Sequence, residues 1–477
     1  MPAHPHGKLT QGPIGRSLLL FALPILGGNV AQSLNGSINA MWIGHFLGEA
    51  ALGAATNANN IMFFLIGAVF GLSMASTILI GQAMGAGDIK RARRVMGSSA
   101  TFFIGIAIFI ASFGYWLARH LLAAMGIPDE ALHLAEAYLR IIFLAMPFMY
   151  SFAFLSAALR GTGDSKTPFR FLLLSVVLDI VLNPMFLFGI GPFPELGIAG
   201  AAWATLCAQA TALSGLLLYM RRKRHVLWLG RVGAKLFIPD VKIIRALVFK
   251  GLPMGLQMTL ISLAMIALTT VVNGFGTDTV AAYGAALQTW TYVQMPAMAI
   301  GAACSSMAAQ NVGAKLWDRV HATTRSGVMF NFILTGSLII PLILLDRWVL
   351  ALFLPPDSAE VLGLARHINH IALWSFLFFG VNFVVSGVVR ATGAVIPPLI
   401  ILALALWGIR VPFANFLVDY LGVDAVWWSF PASSLAAMLM SLAYYRWGNW
   451  RKAKMMEPEP EPETIEEPLE PSITPSP

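Results

Sequence analysis

The chain has 477 residues, 57% of them hydrophobic and only 11% charged, with a mean hydropathy of +0.73. A soluble globular domain carries about 25% charged residues because its surface must face water. A water-facing exterior is therefore excluded, and the bilayer is the solvent that fits. The formal net charge of +8 leaves two readings, a nucleic-acid partner or basic membrane loops, and placement along the chain decides between them.

A spanning helix needs about 20 mostly apolar residues, because lipid offers no partner to backbone polar groups. The first run follows Arg16 and reaches Ile43, too long for a signal-peptide core, so it is expected to stay as a helix. Spans are expected at 17–44, 57–84, 95–118, 131–159, 169–190 and 197–220, then at 243–274, 280–308, 326–352, 360–389, 396–419 and 423–447. The expected fold is thus an all-α integral membrane protein with about twelve transmembrane helices.

Basic residues fall on alternate connections. One side holds Lys8 and Arg16, the KRARR run from Lys90, then Arg160, Lys166 and Arg170, and the segment Arg221 to Lys250. The same side holds Lys315, Arg319, Arg325, Arg390 and the run from Arg446 to Lys454, whereas the other side has little beyond Arg119 and Arg347. This asymmetry is expected to place both termini and the central loop in the cytoplasm, and it accounts for the net charge with no nucleic acid. The expected organisation is a cytoplasmic N-terminus (1–16), a six-helix N-lobe (17–220) and a basic linker (221–242). A six-helix C-lobe (243–447) and a Glu/Pro-rich cytoplasmic tail (448–477) follow, the tail being too charged and proline-rich to order.

The two lobes are copies. Pro24 recurs as Pro253 after 229 positions, Gln82 as Gln310 after 228, and Arg160 and Pro168 as Arg390 and Pro398 after 230. LGIAGAAW from Leu196 recurs as LGVDAVWW from Leu421. An even number of spans per copy gives both the same orientation, so a pseudo-twofold axis along the membrane normal is expected, with a cavity between the bundles.

Polar groups inside spans mark candidate pathways, because lipid penalises them. Gln32, Asn35 and Asn39 share one face of the first span. They either line a cavity or bond neighbouring helices, as amides in membrane bundles commonly do. Asp179 and Asn183 lie four apart in the fifth span, and Pro184 leaves the carbonyl of Ile180 without its helical donor. A carboxyl group taken out of water exchanges its proton when its surroundings or a bound cation change. Asp179, with Asn183 and Asn39, is the expected cation-coupling group. Tyr283 and Trp290 are seven apart on one stripe, and Met146, Met149, Tyr150 and Tyr292 add adaptable apolar surface. Arg410 either faces a central cavity or pairs near the outer end with Asp419; Trp427 and Trp428 read as interface anchors. His367 and His370 stand at metal-ligand spacing without a third ligand, and Cys207 and Cys304 sit in apolar runs, so neither metal nor disulfide is expected.

The segments ALPILGGNVAQSLNGSINAMWIG, GQAMGAGDIKRARR, LRGTGDSKTP, LDIVLNPMFLFGIGP and LGIAGAAWAT, in this order, resemble the multidrug and toxic compound extrusion (MATE) family of bacterial type over roughly 15–447. The resemblance implies a monomeric secondary antiporter that exports amphipathic, often cationic compounds, driven by inward H+ or Na+ flow, with no other cofactor. It also implies that Gln32 and Thr205 line the N-lobe cavity; Asn35, Tyr283 and Trp290 complete the candidate substrate-lining set. The sequence departs from the family in three ways. Asn39 stands where many members carry an aspartate, the order Asp179 then Asn183 is inverted, and the C-lobe acids of one sodium-coupled branch are missing near Ile261 and Phe379. A lipid-linked oligosaccharide flippase is the nearest alternative, and calls for a cationic cavity. A membrane-embedded enzyme is a further one, for which no nucleophile–base or metal motif is present.

Overall fold

A computed structural model describes residues 9–124, 129–191, 193–230, 234–351, 353–354 and 358–456. The acidic tail from Glu457 lies outside the described residues, as do residues 1–8. The described residues are 86% helical, with no strand among them, and the chain folds as an all-α integral membrane protein.

The N-lobe comprises α1 (Ile14–Gly85), α2 (Ile89–Ala124), α3 (Asp129–Gly161), α4 (Lys166–Phe188) and α5 (Ile198–Arg222). At 72 residues, α1 would be about 108 Å long if straight, more than three times the ~30 Å hydrocarbon core. It therefore has to turn, and it does so at Gly48, whose φ of 83° and ψ of −179° belong to glycine alone. The first two expected spans are thus joined through this glycine, with helix where the sequence suggested a loop. After a short 3-10 turn at Ala234–Phe237 the C-lobe follows: α6 (Val241–Asn273), α7 (Thr277–Val293), α8 (Met295–Gly313), α9 (Trp317–Leu344) and α10 (Asp346–Leu350). It ends with α11 (Ala359–Ala372), α12 (Ser375–Thr392), α13 (Ile396–Ala403), a π-helical stretch Leu404–Arg410, α14 (Val411–Phe416), α15 (Val418–Leu421) and α16 (Asp424–Trp447).

Four expected C-lobe spans are interrupted, the ninth between α9 and α10 at Leu345. The eighth breaks between α7 and α8 just before Pro296, which removes a backbone donor. The tenth breaks between α11 and α12, and the eleventh widens into the π-helical stretch beside Arg410.

Small residues let the lobes touch backbone to backbone. A Cβ on Gly71 would overlap Gly251 and Gly255 of α6. A Cβ on Gly85 would overlap the carbonyl of Gln310, and one on Gly313 the carbonyl of Gln82. The same pair of positions bonds reciprocally: Gln82 Nε2 donates to the carbonyl of Ala391 at 2.7 Å, and Gln310 Nε2 to that of Gly161 at 2.8 Å. Because 82/310 and 161/391 are repeat-related, the two bonds exchange under the pseudo-twofold axis. They seal the end of the molecule that carries the basic loops, where Gln310 Oε1 also accepts from the Leu9 amide.

Candidate functional site

The N-lobe face of α1 meets α4 and α5 around one carboxylate. Asp179 lies thirteen residues beyond Lys166, about 20 Å along α4, and is 3% exposed. Asn35 Nδ2 and Asn39 Nδ2 donate to its Oδ2 at 2.7 and 2.8 Å, and Thr205 Oγ1 donates to its Oδ1 at 3.0 Å. Asn183 Nδ2 donates to Asn39 Oδ1 at 2.8 Å, so the second amide steadies the first. The i, i+4 and i, i+7 spacings on α1 and α4 bring these groups to one level, as helical geometry requires.

Donors to Asp179 are thus complete, but acceptors are left over. The Oδ1 atoms of Asn35 and Asn183 and Oε1 of Gln209 are buried without a donor. A carboxylate ringed by spare amide oxygens is a setting for a proton or a small hard cation.

One chamber of about 270 Å³ opens from this network and a second of the same volume adjoins it. One is lined by Asn35, Asn39, Asp179, Thr205 and Tyr138. The other runs toward the basic-loop end and is lined by Asn29, Ser73, Tyr150, Ser156 and Arg160. Gln32, Met149, Leu172 and Gln209 border both, so the chambers adjoin. Together they approach the several hundred Å³ of a drug-sized pocket.

Six of the eight expected site residues, Gln32, Asn35, Asn39, Asp179, Asn183 and Thr205, therefore come together. Tyr283 and Trp290 do not join them. Both are buried in a C-lobe aromatic cluster with Phe376, Trp427 and Phe430, where Trp290 Nε1 donates to Asn369 Oδ1 at 2.9 Å. Gln209 was missed, although it lies one turn after Thr205 on the same face of α5. Arg160 was missed because its motif position suggested a loop.

Other expectations change as well. Arg390 ends α12 inside the bundle, 3% exposed, and is not a loop cation. Arg410 does not pair with Asp419: its guanidinium donates to Ser433 and Ser434 and stacks 4.5 Å from the Phe430 ring centroid. Trp427 is 1% exposed whereas Trp428 is 51% exposed, because neighbours on a helix point about 100° apart and only one reaches the lipid. His367 and His370 contact Asp424 and Asp346, each on a different carboxylate.

The family model MatE matches residues 24–185 and again 253–416, once per lobe. The chain belongs to the MATE family. The probable multidrug resistance proteins YoeA and YpnP of Bacillus subtilis (strain 168) are 36% and 33% identical to it. YoeA aligns over 94% of this chain and 96% of its own, YpnP over 94% and 98%. Among solved structures, the outward-facing conformation of a multidrug resistance MATE family transporter of the MOP superfamily superposes with a TM-score of 0.87. Its identity is 21%, and the match covers 94% of this chain and 98% of that one; it shows the shared fold. This MATE protein is therefore a multi-pass membrane transporter of two similar lobes.

Proposed function

We propose that this MATE protein is a secondary active exporter of amphipathic, often cationic compounds. It works by alternating access and is coupled to inward H+ or Na+ flow. The carrying observation is the buried N-lobe carboxylate Asp179, held by Asn35, Asn39 and Thr205 in the wall of one of the two adjoining chambers. Such a group binds either a coupling cation or the positive end of a substrate, and competition between the two is what antiport requires. The names of YoeA and YpnP support drug export. The basic loops support a plasma-membrane location with both termini cytoplasmic, the protein acting as a monomer.

The test is transport in proteoliposomes with proton and sodium gradients imposed separately and ethidium as substrate. One gradient alone is expected to drive dye movement. Movement that ignores both gradients would remove the reading. A second reading, lipid-linked oligosaccharide flipping, is favoured by Arg160 in the wall of the second N-lobe chamber; gradient-independent lipid scrambling in the same vesicles would support it instead.

A further inference from the structure

The chamber beside Arg160 has a counterpart in the C-lobe. Ser156, Arg160, Pro168 and Leu172 line the first, and Ser386, Arg390, Pro398 and Leu402, each 230 positions later, line the second. The walls differ in where their amides sit. Where the N-lobe has Gly28 and Phe152 the C-lobe has Gln257 and Asn382, where the N-lobe has Asn29 and Gln32 the C-lobe has Met258 and Ile261, and the space is about 20 Å³ against about 270 Å³. That volume holds one water-sized occupant or one monatomic ion and no larger group.

Hydrogen bonding in the C-lobe chamber is one-sided. Arg390 Nη1 donates to Gln257 Oε1 at 2.7 Å, using that acceptor. Ser386 and Ser441 donate to Asn382 Oδ1 at 3.3 and 2.5 Å, using that one too. The atoms left buried and unpartnered are donors: Arg390 Nε, Arg390 Nη2 and Gln257 Nε2. Nε and Nη2 form the edge of a guanidinium that grips anions with two parallel N–H groups. Arg390 and Gln257 are 3% and 7% exposed. The ion pairs among the described residues involve Arg94, Arg140, Arg366, His367 and His370, and none involves Arg390. The face of the Phe383 ring, 5.6 Å from the guanidinium carbon, gives only partial compensation. A buried cation with spare donors and no acid is strongly destabilising unless a counter-charge joins it.

We propose that the C-lobe chamber is a binding site for a monatomic anion of chloride size, held by Arg390 Nε and Nη2. The spare buried atoms here are nitrogens, whereas those around Asp179, in the N-lobe chamber next to the Arg160 one, are oxygens. The duplicated fold thus presents an acceptor-lined site in one lobe and a donor-lined site in the other.

The test uses the purified full chain in detergent, with chloride, bromide or gluconate at constant ionic strength. Two quantities are read: apparent melting temperature and excess 35Cl NMR line width. The wild type is expected to melt higher as chloride or bromide rises, saturably, and to broaden the 35Cl line in a way bromide competes away. Gln257→Glu supplies a resident carboxylate to the guanidinium. It is expected to reach the chloride-saturated melting temperature in gluconate, and to weaken chloride binding roughly tenfold or more. Asn382→Asp repeats the test from the opposite wall. Identical melting of the wild type in chloride and gluconate, with no competed line broadening, overturns the proposal by itself and signifies a water or an empty chamber. Full chloride dependence in both variants also overturns it, because the anion is then elsewhere.

Discussion

Asp179 is the residue on which the proposed coupling rests. Its carboxylate receives three side-chain donors, so Asp179→Asn removes the charge while keeping the shape. Gradient-driven export in proteoliposomes is expected to fall to the passive background, with substrate binding retained. Wild-type coupled export by that variant would move the coupling group elsewhere. Thr205→Val deletes the sole donor to Oδ1. A hydrogen bond to a charged group contributes about 1.5–3 kcal/mol, so the apparent affinity for the coupling cation should change about tenfold or more. This is measured as the ion dependence of transport rate. Asn183 acts through Asn39 and not directly, so Asn183→Ala should give the smaller effect. These groups were legible in the sequence because lipid makes every polar residue in a span conspicuous. Arg160 and Arg390 were not, since a basic residue near a span end normally signals a loop and only packing shows that it turns inward.

At the scale of the helices, the reciprocal approach of Gly85 to Gln310 and Gly313 to Gln82 fixes how closely α1 and α8 lie. Replacing a helical glycine by alanine ordinarily stabilises by roughly 0.5–1 kcal/mol. Here the new methyl meets a backbone carbonyl that no rotamer change can move, and overpacking of this kind costs about 1–3 kcal/mol. The overlap wins, so Gly85→Ala and Gly313→Ala should both lower the apparent melting temperature in detergent. Gly105→Ala on α2, with nothing within 4 Å of the new Cβ, should leave it unchanged or raise it. The helix run itself was readable from apolar length. The break at the tenth span was not, because no proline or glycine marks it; the π-helical stretch contains Gly408 and precedes Pro412, but these residues alone do not specify a π-helical turn, and tertiary packing decides both.

For the whole molecule, the seal at the basic-loop end has to open if the lobes rock around a central site. The Cβ of Ala309 lies 3.0 Å from the Cβ position of Gly81, slightly closer than the about 3.5–4.5 Å of a disulfide. Gly81→Cys with Ala309→Cys, in a chain with Cys207 and Cys304 replaced, should therefore cross-link on mild oxidation. Transport is expected to stop on oxidation and to return on reduction. Undiminished transport by the cross-linked protein would mean that this end stays closed throughout the cycle.

Sequence alone determined the solvent, the helical class, the duplication and the polar face that became the Asp179 network. Each follows from local rules: hydropathy over a span, a near-constant repeat offset, and helical periodicity. Tertiary structure alone decided how differently the two copies are walled. The coordinates of Arg160 and Arg390 in the repeat are equivalent, yet one borders a wide chamber and the other a tight one walled by Gln257 and Asn382. Which donors and acceptors remain unpaired depends on contacts such as Arg390 to Gln257, 133 positions apart, and Asn35 to Asp179, 144 apart, and no local pattern in the chain encodes that remainder.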